Sequence, residues 1–332
     1  MKALIDRFGR RIDYLRISVT DRCNLRCVYC MPPQGVLWRP RAEILSYEEI
    51  VRVVEAGARL GIRKIRLTGG EPLVRPDLTT LVRAITHIPG IEEISLTTNG
   101  MLLEKLAEPL AQAGLRRVNV SLDTLDPIKF HRITRFGDIE RVWRGIEAAG
   151  RAGLTPIKIN TVVIRGVNDD ELRDLARLTL DRAWHVRLIE WMPVGNSRDW
   201  GEGFPAGPDR YYPLHEMLRQ LAPLGLKPTD KPIGNGPART FRIPGAPGTV
   251  GFISPLGDHF CATCNRLRLT ADGQLRPCLL LDSEVPVREA LRVNADVAPL
   301  IERAVRLKPR EHNLLTLDAS SPQDRMMCQI GG

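Results

Sequence analysis

Long apolar runs are missing from this 332-residue chain. No stretch approaches the roughly 20 apolar residues of a membrane span, so no membrane partner is expected. Aromatic residues make up only 5%, and none of the five Trp and five Tyr interleaves with a basic run of the kind that stacks single-stranded bases, so nucleic acid is not the expected partner. Cysteines number seven, in two tight groups plus one, too few for a disulfide scaffold of this size. The opening residues, Met1 to Arg7, carry an acid and bases where an export signal needs an apolar stretch. The cytoplasm is therefore the expected compartment. Internal repeats and low-complexity tracts are absent as well.

What is present is an ordinary hydrophobic fraction of 43% and a strong excess of base: formal charge +9, pI about 9.4. Such a surplus suits an acidic partner such as nucleic acid, a membrane surface or a phosphorylated small molecule, or else a merely basic solvated surface. The positions of the charges decide between these.

From about residue 14 to 195 strand and helix patterns alternate. Strands are predicted at Tyr14–Val19, Lys64–Thr68, Glu93–Thr98, Arg117–Leu122, Pro156–Ile164 and Val186–Met192. Between them, Ser46 to Glu49 reads as a capping box for a helix ending near Gly61. Further helices follow Asp77, span Leu103–Ala113 and 138–152, and start at Asn168–Glu171 with capping spacing. Six β/α units predict an α/β fold with a parallel sheet and outer helices, two units short of a closed barrel. The expected architecture is an open partial (β/α)6 barrel over residues 1–235, and a small C-terminal α+β domain over residues 236–332. From Pro193 to about Pro247 the chain is rich in Gly and Pro, with one helical piece at Leu214–Leu224.

The chemistry-bearing stretch is Cys23-x3-Cys27-x2-Cys30, directly after the first strand. Three thiolates in one loop can hold three irons of a four-iron cluster and leave the fourth open to a small molecule. The alternative is a zinc knuckle with a distant fourth ligand. Side chains alternate across a strand, which puts Arg16, then Lys64 and Arg66, then Lys158, then Arg187 on the non-apolar faces of four strands. With helices outside, these cations line the inside and await a polyanion, unless Glu71, Asp123 and Glu190 pair with them. Gly69-Gly70-Glu71-Pro72, Thr97 to Gly100, Ser121 with Asp123, and Met192 all fall at carboxyl ends of strands, where such folds carry their sites. The Gly-Gly turn would leave backbone groups available to a ligand.

A second group, Cys261-x2-Cys264-x13-Cys278, again has three cysteines. His259 or Cys328 could complete a zinc site instead. Arg266 and Arg268 alternate with Leu267 and Leu269, so both guanidiniums point one way, suited to phosphate or to salt bridges on an exposed strand.

Cys23-x3-Cys27-x2-Cys30 followed by Gly-Gly-Glu-Pro resembles the radical S-adenosylmethionine enzymes. Adding Cys261-x2-Cys264-Asn-Arg266-x-Arg268-Leu-Thr-x-Asp-Gly, Cys278, and the terminal Gly331-Gly332, the chain is similar to the GTP 3′,8-cyclase family over nearly its whole length. The resemblance implies a lyase opening molybdenum cofactor biosynthesis, in which a 5′-deoxyadenosyl radical takes the hydrogen from C3′ of GTP and the carbon radical closes on C8 of guanine. It implies two [4Fe–4S] clusters, on Cys23, Cys27 and Cys30 and on Cys261, Cys264 and Cys278, the second facing guanine. S-adenosylmethionine would lie among Tyr29, Gly70, Ser121 and Met192. GTP would meet Arg16, Arg66, Thr97, Lys158, Arg266 and Arg268, with Arg187 as a further candidate, and Arg266, Arg268, Gly331 and Gly332 would act in catalysis. Cys328 is read as incidental. The implied partners are an electron donor such as flavodoxin or ferredoxin and the downstream pyranopterin-forming enzyme; a homodimer is the candidate assembly. Two other readings are a radical enzyme that modifies a peptide and a non-enzymatic zinc protein binding nucleic acid.

Overall fold

The structure is a computed structural model, and it describes residues 3–194, 200–229, 236–258, 260–312 and 325–331. Six parallel strands form in chain order: β1 (Tyr14–Ser18), β2 (Lys64–Thr68), β3 (Glu93–Thr98), β4 (Arg117–Ser121), β5 (Lys158–Val163) and β6 (His185–Glu190). Each matches a strand expected from the sequence to within two residues at either end. The helices between them are α1 (Tyr47–Leu60), α2 (Leu78–Thr86), α3 (Leu103–Gln112), α4 (Pro127–Thr134), α5 (Ile139–Arg151) and α6 (Leu172–Asp181).

Local chemistry explains most of these boundaries. Ser46 accepts from Glu49 N while the Glu49 carboxylate takes the Ser46 N–H, the reciprocal box read from the sequence, and Gly61 closes α1 at φ 107°. Helix α4, absent from the expectation, starts on Asp126, which accepts from the Ile128 and Lys129 amides with Pro127 at the first helical position. One start differs. Asn168 does not cap α6; its side chain accepts from Ile164 N and donates to the Asp123 and Val162 carbonyls, stitching β4 to β5. A single 3-10 turn, Asp169–Glu171, precedes α6 instead.

The largest departure lies in the sheet. Beyond β6 come β7 (Lys227–Pro228), β8 (Arg239–Arg242), β9 (Thr249–Ile253), β10 (Arg266–Leu269), β11 (Gln274–Arg276) and β12 (Val285–Pro286). They join the first six in one twelve-stranded sheet of order β12-β11-β10-β1-β2-β3-β4-β5-β6-β9-β8-β7. Strand β9 runs parallel to β6 and β10 parallel to β1, so the C-terminal segment extends both edges of the six-stranded core. Only residues 254–265 connect β9 to β10. Ile253 on β9 and Arg266 and Arg268 on β10 line one cavity, so the sheet curves and brings its two edges near each other.

Helices cover one face. Leu15, Ile17, Ile65, Leu67, Leu96, Val118, Val120, Ile159 and Leu188 are fully buried there against residues such as Ile50, Val53, Leu81, Leu103 and Ile146. The C-terminal part adds α7 (Leu214–Leu221), α8 (Arg288–Arg292), α9 (Ala298–Arg306) and a last short helix, α10 (Met327–Ile330). No helix among the described residues is long and apolar enough to cross a membrane.

Candidate active site

The opposite face of the sheet lines a cavity. In parallel strands, paired residues point the same way, and the register sets Arg268, Arg16 and Arg66 side by side across β10, β1 and β2. Ser95 on β3 continues that row. Arg187 on β6 pairs with Asn160 on β5, and Lys158 pairs with Asn119 and His185. The alternation read from the sequence thus gathers the cations on one face. Burial holds Arg16 well below the usual guanidinium range, and the charges of Arg268 and Arg66 push it further. Arg187 falls to about 9 through burial and the Arg66 and Arg117 charges, Arg268 to about 10 through burial and Arg266, and Lys158 to about 5 through burial, Arg187 and Arg117. Like charges crowded together out of water are what a polyanion site requires.

The three acids that could have neutralised this row are engaged elsewhere. Glu71 accepts from Thr98 Oγ1 at 2.7 Å, Asn99 N at 2.7 Å and Leu73 N at 3.0 Å; burial raises it to about 7. Asp123 accepts from Tyr29 Oη at 2.7 Å and Val162 N at 2.9 Å, and burial raises it to about 6. Glu190 accepts from Tyr211 Oη at 3.0 Å and Leu214 N at 2.9 Å. These carboxylates organise loops around the cavity.

The first cysteine loop is clamped by the Gly-Gly turn. Gly70 N donates to the Thr20 carbonyl and Glu71 N to the Arg22 carbonyl, each at 2.8 Å. The Gly70 and Glu71 amides therefore hold the loop. The glycines serve close approach, because a Cβ on Gly69 would lie 2.5 Å from the Thr20 carbonyl oxygen and one on Gly70 2.4 Å from that of Arg22. Asn99 reaches Asn24 Oδ1 at 2.8 Å and Cys23 Sγ at 3.9 Å.

The second cysteine loop is held from both chain ends. Arg10, paired with Asp6 at 2.6 Å, donates to the carbonyls of Cys261 at 2.7 Å and Pro309 at 2.6 Å. Lys308 is buried, donates to the Arg266 and Pro277 carbonyls at 2.7 and 2.8 Å, and lies 3.7 Å from Cys264 Sγ. Burial raises the Cys264 thiol, but the Arg266 and Lys308 charges outweigh it and bring it to about 7. Sequence reasoning missed Lys308. A lone Lys followed by Pro carries no motif, and its role depends on a chain reversal between β10 and the end of α9.

The six cysteines Cys23, Cys27, Cys30, Cys261, Cys264 and Cys278 all line the one cavity, with Tyr29, Gly70, Ser121 and Met192, and with Arg16, Arg66, Thr97, Arg187, Arg266 and Arg268. Lys158, two residues before Asn160 on the same face of β5, is fully buried. Gly332 and His259 lie outside the described residues. Gly331 fits between Ser18 and Thr68, where a Cβ would meet Thr68 Cγ2 at 2.8 Å, and its carbonyl accepts from Arg268 Nη1 at 2.6 Å. Cys328 is not incidental to the site. It lines the cavity against Cys30, whose thiol is raised first by their hydrogen bond and then by burial, so as a zinc ligand it would serve the first cysteine group rather than the second.

The donor set fits two multi-iron clusters. All six thiols are unpaired and half-buried. Among the described residues no three His, Cys, Asp or Glu side chains converge as ligands of one ion do, whereas a four-iron cluster takes each thiolate on a separate iron. Burial pushes Cys23 up to about 12, so its thiolate needs a strong cationic partner. Thr97 Oγ1 and Asn160 Oδ1, both buried against the cavity, have no hydrogen-bond partner among the described residues, as suits a polar ligand there.

Comparison with known proteins agrees with this chemistry. Residues 17–179 match the family described as Radical SAM superfamily, and residues 184–314 match Molybdenum Cofactor Synthesis C. A GTP 3′,8-cyclase of Pelotomaculum thermopropionicum is 52% identical, covering 98% of this chain and 99% of the relative. One of Moorella thermoacetica is 50% identical with the same coverage. Streptococcus suis SuiB bound to S-adenosylmethionine shares the fold with a TM-score of 0.59 at 16% identity, over 90% of this chain and 69% of that one. Full-length similarity at this level, together with two three-cysteine loops facing one cationic cavity, means that the chain belongs to the GTP 3′,8-cyclase family of the radical SAM superfamily.

Proposed function

We propose that this protein is a GTP 3′,8-cyclase that converts GTP to (8S)-3′,8-cyclo-7,8-dihydroguanosine 5′-triphosphate, the first step of molybdenum cofactor biosynthesis. The observation that carries the reading is that both cysteine loops and the Arg268–Arg16–Arg66 row face the same cavity. Cys23, Cys27 and Cys30 hold one [4Fe–4S] cluster, and Cys261, Cys264 and Cys278 hold the other. When bound, the first cluster with S-adenosylmethionine supplies a 5′-deoxyadenosyl radical, and the second supplies an open iron for guanine.

The chain's own contribution is mostly positional. Arg16, Arg66, Arg187, Arg266 and Arg268 hold the triphosphate and ribose. Lys158, at the buried start of β5, joins them in binding GTP. Tyr29, Gly70, Ser121 and Met192 cradle S-adenosylmethionine, with Tyr29 fixed by its hydrogen bond to Asp123. Glu71, tied to Thr98 and Asn99, keeps the first cysteine loop against the ends of β2 and β3. Gly331 brings backbone to the substrate without side-chain bulk, beside Arg268, and Gly332 is assigned to catalysis with Arg266 and Arg268 on the family pattern. Residues 1–235 form the radical-generating part, and residues 236–332 form the guanine-holding part. The protein works in the cytoplasm, takes its electron from a flavodoxin- or ferredoxin-like donor, passes its product to the downstream pyranopterin-forming enzyme, and assembles at most as a homodimer.

The test is anaerobic incubation of the reconstituted protein with S-adenosylmethionine, GTP and dithionite. The expected outcome is 5′-deoxyadenosine and cyclised nucleotide in equal amounts, both dependent on GTP. Formation of 5′-deoxyadenosine without any nucleotide product would overturn the substrate assignment.

A further inference from the structure

The reaction consumes an electron that comes from outside the chain, and the outer surface of the first cysteine loop is built to receive its carrier. Leu37 is 95% exposed and Phe136 56% exposed, two of the few large apolar side chains left in water. Arg26, inside the Cys23–Cys30 loop, reaches Phe136 and the segment that leads into Leu37. Its guanidinium lies 5.3 Å from the Phe136 ring centroid, and its Nε would be 3.3 Å from a Cβ on Gly35, two residues before Leu37. Its Nη1 donates to the Pro33 carbonyl at 2.7 Å.

The backbone beneath is tied to the cysteine loop. Arg26 N donates to the Thr134 carbonyl at 3.0 Å and Val28 N to the Ile133 carbonyl at 2.9 Å. Arg135 Nη1 donates to the Arg26 and Met31 carbonyls at 2.8 and 3.1 Å. The exposed Arg22 and Arg132 add positive charge on the same two segments. The acid nearest Phe136 in the chain, Asp138, is turned to its own helix, accepting from Glu140 N at 3.0 Å. An apolar pair set in basic charge fits an acidic partner and repels a second copy of this basic chain.

We propose that Leu37, Phe136 and Arg26 form the docking surface for an acidic, low-potential one-electron carrier protein. It rests on the reading above that Cys23, Cys27 and Cys30 hold a cluster. The carrier is oxidised by one electron and the cluster is reduced by one; no bond forms or breaks and no proton moves.

The experiment uses the reconstituted holoenzyme and reduced flavodoxin as the probe, with Leu37→Glu, Phe136→Ser and their double variant, and Val293→Glu, an exposed side chain outside the proposed surface, as control. Three quantities are read: binding of labelled flavodoxin, the rate of cluster reduction by flavodoxin, and GTP turnover driven by dithionite. The expected result is at least a tenfold loss of flavodoxin affinity and of the flavodoxin-driven reduction rate in the double variant. Dithionite-driven turnover should stay within twofold, and Val293→Glu should behave as wild type. Raising salt from 50 to 300 mM, roughly halving the screening length, should weaken flavodoxin reduction in the wild type. Unchanged binding and reduction in the double variant overturns the proposal, as does a change confined to self-association in sedimentation. Absence of cyclised product with dithionite defeats the functional reading instead, because binding and cluster reduction are read without GTP.

Discussion

Lys158 sits in an environment far from that of a free side chain. Fully buried beside Arg187 and Arg117, it is depressed from 10.5 to about 5 and is neutral in the unliganded protein at pH 7.5. A triphosphate in the adjoining cavity reverses the local field and raises it, so GTP binding should take up a proton there. Calorimetry in two buffers of different ionisation heat, comparing wild type with Lys158→Met, should show an uptake that the variant lacks; equal proton counts would sink the idea. The sign for stability runs the same way. Because the folded protein disfavours the charged form, Lys158 lowers stability below its folded value near 5, and this penalty is relieved as pH rises from there towards 10.5. The glycines of the clamp are the other residue-level commitment. Gly70→Ala puts a methyl group onto the Arg22 carbonyl and should destabilise the fold by about 2 kcal/mol or more. Iron content and thermal midpoint should fall together, and a variant that melts as wild type would contradict the close-approach argument. At this scale the sequence was half informative. Alternation along short strands placed Arg16, Arg66 and Arg187 correctly. It could not tell that Lys158 is fully buried, because depth within a sheet face depends on neighbouring strands.

At the scale of elements, the tail matters most. Helix α10 is only four residues long, and its own cap, Met326 N donating to Gln329 Oε1 at 2.9 Å, is local and ties it to nothing else. It is anchored from outside. Arg325 forms a bidentate pair with Asp272 at 3.0 and 2.9 Å and reaches Glu284 at 2.7 and 2.9 Å, all largely buried. Asp272 is lowered below the ordinary carboxylate range despite its burial, by the Arg325 and Thr270 hydrogen bonds. This clamp sets where Cys328 meets Cys30 and where Gly331 meets Arg268. Arg325→Ala should raise hydrogen exchange across residues 326–331 and lower kcat/KM for GTP by tenfold or more, about 1.4 kcal/mol. Iron content should stay unchanged, and Arg325→Lys should recover part of the loss. Unchanged exchange would show that the tail is held otherwise. The sequence announced the Gly-Gly end but not its anchor, since Arg325, Asp272 and Glu284 are brought together by long-range folding. Strand β9 was hidden for the same reason, since its five residues take their identity from pairing with β6, whereas β10 was read as an extended Arg266–Leu269 segment and only its place beside β1 was hidden.

On the scale of the whole molecule, the +9 charge resolves into a concentrated internal field as well as a basic surface. Six parallel strands supply one row of cations, and the C-terminal strands extend both sheet edges and contribute the rest. The domain expected as a separate unit therefore completes the sheet of the first, with Arg268 in register with Arg16. The order of β/α units and both cysteine loops were legible because each is local. Their convergence on one cavity was expected through the family resemblance alone, because residue by residue it depends on curvature and on how β9 and β10 attach. The central claim is that this cavity holds GTP with its ribose C3′ facing the radical-generating loop. Turnover of GTP deuterated at C3′ tests it most directly. The expected result is 5′-deoxyadenosine carrying one deuterium, formed together with the cyclised nucleotide. Unlabelled 5′-deoxyadenosine alongside product, or label appearing only from another ribose position, would contradict it.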